Sequence, residues 1–106
     1  MTKGIPESDW KIFRSLYKTV LERFCERVLT EVKRLSSDEA QTAHERYSAI
    51  YRLMRERDKI LADIFDRMSR SSALLQLTLM NTYGLLAEDE MQQFSEETRR
   101  TIQRLI

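Results

Sequence analysis

The chain has 106 residues, of which 42% are hydrophobic and 33% charged, with two Gly and one Pro. That is one domain of ordinary size, long enough to bury a core but near the low end of comfort without a partner, and with too little turn chemistry for an all-β fold. The 18 basic residues against 17 acidic ones leave a formal charge of +1, which removes the simplest electrostatic case for nucleic acid or an anionic membrane.

Residues 1–7 read as a flexible N-terminal tail ahead of a single helical domain. Pro6, Glu7, Ser8 and Asp9 make a helix start, because Pro tolerates the first turn and acids there complement the helix dipole. From Asp9 to about Leu35 apolar residues come in pairs four apart: Ile12/Phe13, Leu16/Tyr17, Val20/Leu21, Phe24/Cys25 and Val28/Leu29, then Val32 and Leu35. Each step of four advances about 40° round the helix, so the stripe widens beyond one seam and calls for more than one neighbour.

Ser36 with Glu39 three residues on matches a capping box, which opens a second helix over about Ser37 to Arg70. Its seam of Ala43, Tyr47, Ile50, Met54, Leu61, Ile64 and Met68 keeps three- and four-residue steps, with Arg57 in the missing place. Helices of roughly 40 and 50 Å follow from 1.5 Å per residue. They imply a long antiparallel helical hairpin, which alone leaves the wide face of the first helix partly bare.

Residues Ser71 to Ala87 form the longest uncharged run. It either continues the second helix or forms a separate one, and Gly84 is its natural left-handed stop. Leu75 to Leu79 also alternates with period two, but a strand there has no second strand to pair with. The run carries Gln76, Thr78, Asn81 and Thr82, too polar for a membrane span of about 20 apolar residues. Leu75, Leu79 and Tyr83 are expected against the first helix. Leu74, Leu77 and Met80, with Leu85 and Leu86, are then the expected partner-binding surface. An acidic turn, Glu88-Asp89-Glu90, opens a last helix bearing Met91, Phe94, Thr98, Ile102 and Leu105 on one side, with a possible restart at Ser95-Glu96-Glu97.

The fold expectation is therefore all-α: a hairpin, one or two shorter C-terminal helices, and a bundle completed by dimerisation. By region, residues 1–35 hold 8 basic and 5 acidic groups, 36–72 hold 7 of each, and 73–106 hold 3 and 5, a mild dipole that suits antiparallel association of two copies.

The chemistry-bearing residues do not assemble into a reaction. Cys25, the one thiol, sits mid-helix in the apolar stripe, and His44, the one histidine, belongs to a different helix, so no nucleophile–base pair is legible. Gln41 stands where a helical di-metal site needs the Glu of Glu-x-x-His, and Glu22 and Glu26, one turn apart, read as surface charge. No catalytic residue, metal ligand or cofactor is expected.

Along one edge of the second helix lie His44, Tyr47, Tyr51, Arg55 and Asp58. They are a candidate strip for a small anionic ligand, weighed against a polar layer that fixes register. Lys11, Arg14 and Lys18, then Arg23, Arg27 and Arg34, give the first helix two short cationic strips, interrupted by Glu22, Glu26 and Glu31 and lacking a helix-turn-helix spacing. Nucleic acid is the lesser reading. The favoured one is a non-enzymatic protein–protein interaction module, a small adaptor, inhibitor or regulatory subunit, forming a homodimer. One cysteine and no secretory leader point to the cytoplasm. Thirteen Arg to 5 Lys suits a GC-rich bacterial source.

Overall fold

A computed structural model describes residues 4–105, in which all regular structure is helical. The elements are α1 (Glu7–Ser36), α2 (Ala43–Phe65), α3 (Ala73–Thr82), the single turn α4 (Glu88–Met91) and α5 (Glu96–Leu105). The apolar pairs of α1 do bury a wide face, through Phe13, Val20, Phe24 and Val28. α1 and α2 pack side by side: Tyr17 meets Phe65 edge-on with ring centroids 5.5 Å apart, Arg57 reaches Glu31, and Arg46 donates to the Ser36 carbonyl at 2.8 Å.

Both ends of the second helix differ from the sequence expectation of 37–70. Ser36 closes α1, its hydroxyl turned back to the Lys33 carbonyl, and the capping box is made six residues later. There the Thr42 hydroxyl accepts the Glu45 amide at 3.0 Å, and the Glu45 carboxylate accepts the Thr42 amide at 2.8 Å. Thr42-x-x-Glu45 satisfies the same pattern as Ser36-x-x-Glu39, and the chain uses the copy that leaves α1 a full last turn. At the other end, two side chains from elsewhere take the carbonyls that further helix would use. The buried Gln76 amide donates to the Ile64 carbonyl at 2.7 Å, and the Tyr17 hydroxyl donates to the Phe65 carbonyl. The charged linker 66–72 then leads into α3 as a separate helix.

α3 stops as its sequence indicates. Gly84 adopts φ 65°, the Leu85 amide bonds the Met80 carbonyl at 2.8 Å, and the Gly84 amide bonds the Asn81 carbonyl at 3.0 Å. This is a Schellman closure, with Met80 and Leu85 both buried at the turn. The last helix divides at Ser95, giving three short C-terminal helices where one or two were expected. Phe94, Thr98 and Ile102 are buried as one side; the side chain of Leu105 lies outside the description.

The tail expectation also changes. Residues 1–3 lie outside the described residues, but Ile5 is a core residue, its carbonyl accepting from the Arg70 guanidinium at 2.8 Å, and α1 begins at Glu7. Gly4, at φ 73°, runs so close to the linker that a Cβ there would stand 2.5 Å from the Arg70 carbonyl oxygen. The apolar side chain at position 5 is buried in the core, which is why residues 4–7 do not form a tail.

Candidate interaction face

The elements after α2 are fastened to one side and one end of α1. Arg23 forms a two-pronged pair with Glu90, at 2.8 and 3.1 Å, and also donates to the Leu85 carbonyl. Its hydrogen bonds, working against partial burial and joined by the Ala87 amide and the Arg23 charge, hold the Glu90 carboxyl below its ordinary range, and Glu90 in turn raises the Arg23 guanidinium. One turn on, Arg27 donates to the Tyr83 and Gly84 carbonyls at 3.2 and 2.8 Å, so the α3–α4 turn is gripped by two successive arginines. These side chains are committed to the fold, which removes them from the cationic strips.

Asp9 holds the other fastening. Its buried carboxylate accepts the Ser95 amide at 2.9 Å and the Ser95 and Thr98 hydroxyls at 2.6 Å each, capping α5 from the far end of the chain. Burial opposes the charge, but these three donors outweigh it and leave the carboxyl below its ordinary value of 3.8.

The flank of α1 roughly opposite Arg23 and Arg27 carries Leu21, Cys25, Leu29 and Val32. Alongside it α2 shows Tyr47, Ile50, Tyr51, Met54 and Leu61. Neither flank is covered by the C-terminal helices. Leu29 is 62% exposed, Tyr47 70%, Tyr51 55% and Met54 46%, while Cys25, Ile50 and Leu61 are half-buried. A groove of about 190 Å³ runs between Cys25 and Leu29 on one wall and Met54 and Leu61 on the other, with Phe24, Val28, Arg57 and Asp58 completing it. Met54 also belongs to a shallow apolar hollow with Tyr47, Ile50 and Tyr51, so the two features are continuous.

On the other side of Phe24 and Val28 lies a more polar, half-open cavity of about 350 Å³, bordered by Arg27, Glu31, Glu56, Arg57 and Tyr83. Its ions answer one another: Arg57 pairs with Glu31 and Glu56, both at 3.2 Å, and Arg27 is held by backbone carbonyls. It therefore offers no unpaired charge from those arginines to orient a ligand.

The partner-binding set expected from sequence lies mostly inward. Leu77, Met80 and Leu85 are buried core residues, and Leu74 and Leu86 are half-buried against that core, whereas Leu75 and Tyr83, assigned to α1, are exposed. A helix apolar on nearly every side gives no indication of which side faces in, and here α2 and α5 set its orientation. The ligand strip also fails to close into a site. His44, Tyr47, Tyr51, Arg55 and Asp58 all point to solvent along the outside of α2; Arg55 lies 5.9 Å from the Tyr51 ring centroid, and His44 borders a separate hollow with Leu35, Arg46 and Arg52. A helix edge spreads its residues along a line, and the two that meet α1, Asp58 at the groove and His44 beside Leu35, do so in separate hollows.

What sequence reasoning missed is the exposure of Leu29 and Met54, which it counted as ordinary seam members. The available signal was the width of the α1 stripe, already too great for one neighbour. Among the described residues no three His, Cys, Asp or Glu stand close enough to hold a metal ion, and no helix is long and apolar enough to cross a membrane. Comparison with family models, with curated proteins and with solved structures finds no match to this chain.

Proposed function

We propose that this chain is a non-enzymatic, homodimeric interaction module, a small adaptor, inhibitor or regulatory subunit. In this reading α1 and α2 act as an antiparallel hairpin, and two hairpins close a four-helix bundle through the Leu29–Met54 face. The observation that carries it is the continuous uncovered apolar surface there, since monomers rarely leave such surface contiguous.

The shape of the molecule supports the same reading. The radius of gyration is 16.6 Å and the extents are 52 × 27 × 23 Å, where a compact chain of this length has a radius of about 13 Å. Its accessible surface is 7407 Å², against about 6,200 Å² for a folded monomer of this mass. A standard interface buries about 800 Å² per partner, which would remove most of that excess. The one free thiol, Cys25, fits a reducing cytoplasm.

Light scattering tests the proposal. Wild type should run at twice the 12.7 kDa chain mass, and Met54→Asp should run as a folded monomer with unchanged helical circular dichroism. A wild type that stays monomeric at concentrations of about 100 μM, where a Kd in the micromolar range would leave it mostly dimeric, would overturn it.

A further inference from the structure

Resting on the homodimer reading, we infer a specific register: the two copies stack face to face about a two-fold axis that crosses the groove where Val28 and Leu29 stand beside Arg57. α1 then lies antiparallel on its mate's α1, and α2 on its mate's α2.

The charges at the two edges of the face fix this register independently. On the α2 edge Arg55 and Asp58, both exposed, are opposite in sign and three residues apart. Two antiparallel copies of α2 bring each Arg55 to the other copy's Asp58 only if the axis passes between Glu56 and Arg57. On the α1 edge at the level of the groove the exposed charges are Glu22, Glu26 and Lys33, with Lys18 further toward the N-terminal end of the same face. Antiparallel copies of α1 seat each Lys33 between the other copy's Glu22 and Glu26 only if the axis passes between Val28 and Leu29. These levels coincide within one subunit, since Val28, Leu29 and Arg57 line a single groove. Two edges on different helices thus select one axis.

The apolar residues agree with it. In this register Leu29 lies against its own copy, Cys25 against Val32, and Tyr51 against Leu61, so apolar surface meets apolar surface at the centre of the face, while Leu21 and Tyr47 at its ends fall at the levels of the other copy's Ser36 and Asp66. The alternative stacking, with the axis along the helices, sets α2 over the mate's α1 and brings Asp58 to the level of Glu26, an opposition of like charges.

Within one chain Lys33 makes no ion pair with Glu22 or Glu26, and it lies about 10 Å along the helix from the nearer one. Their coupling therefore reads contact between copies. The test uses Lys33→Glu and the double variant Glu22→Lys/Glu26→Lys, each alone and mixed, with native mass spectrometry and sedimentation. Each variant alone should dimerise about threefold to tenfold more weakly than wild type. The equimolar mixture should form heterodimer well above the statistical half, with affinity restored to within about twofold. A dimeric wild type whose variants mix statistically would overturn the register while leaving the homodimer standing. A monomeric wild type would overturn both.

Discussion

The two ends of α1 carry equally apolar sequence and are finished differently. Around its first half, Phe13 and Val20 are core residues and Asp9 is matched by Ser95 and Thr98; along one side this cover runs past the midpoint, where Arg23 meets Glu90 and Arg27 the Tyr83 and Gly84 carbonyls. Around its last half, Leu29 and its α2 neighbours Tyr47, Tyr51 and Met54 are left outside. The difference follows the side of α1 that the C-terminal elements reach: the side bearing Arg23 and Arg27 is covered, and the flank bearing Leu29 is not. α3, α4 and α5 together hold 24 residues against the 30 of α1.

This contrast can be broken most severely in the closed half. Phe94→Ala should cost about 3–5 kcal/mol in urea unfolding, because Phe94 is buried where α4 gives way to α5. A loss below about 1 kcal/mol would mean that the closed half is not the stability core.

Asp9→Asn should cost less, about 2 kcal/mol, by replacing an acceptor-only carboxylate with an amide that meets three donors. The same fastening makes the closed half acid-sensitive. Carboxyls held below their ordinary values, as Asp9 and Glu90 are, contribute stability that is complete above those values and is lost as the pH falls through the lowered ones. Wild-type stability should therefore decline below about pH 4.5, and the Asp9→Asn decline should be shallower. Parallel pH curves for the two proteins would contradict the role given to Asp9.

At the open end the effects should be smaller. Thr42→Ala removes the α2 cap and should cost about 1 kcal/mol, with helical signal lost first from α2 by amide exchange. Loss spread evenly over α1 to α5 would show that the two halves unfold as one.

Much of the fold was legible because it is local. The helices, the wide α1 stripe, and the Gly84 stop follow from spacing and backbone preference. What was not legible depended on distance or on choice between equals. Asp9 reads as an ordinary first-turn acid until Ser95 and Thr98 are brought to it from the other end of the chain. Ser36 and Thr42 head identical capping patterns, and only the turn geometry selects the second. In α3 the alternation of Leu75 outside and Leu77 inside has no sequence marker, because leucines occupy both sides. The expected partner face accordingly included the buried Leu77, Met80 and Leu85, and the uncovered strip lies instead on α2 and on the flank of α1 whose wide stripe already called for a second neighbour.

Two methionines let one measurement compare the halves in a single sample. Met54 is 46% exposed in the groove and Met80 is 1% exposed in the core. Oxidative footprinting should be run across a dilution series, with peptide masses read at both residues. If the open face is covered by a second copy, Met54 should be protected at high concentration and become reactive on dilution, while Met80 stays protected throughout. Met54 reactivity that is high and independent of concentration would contradict the account.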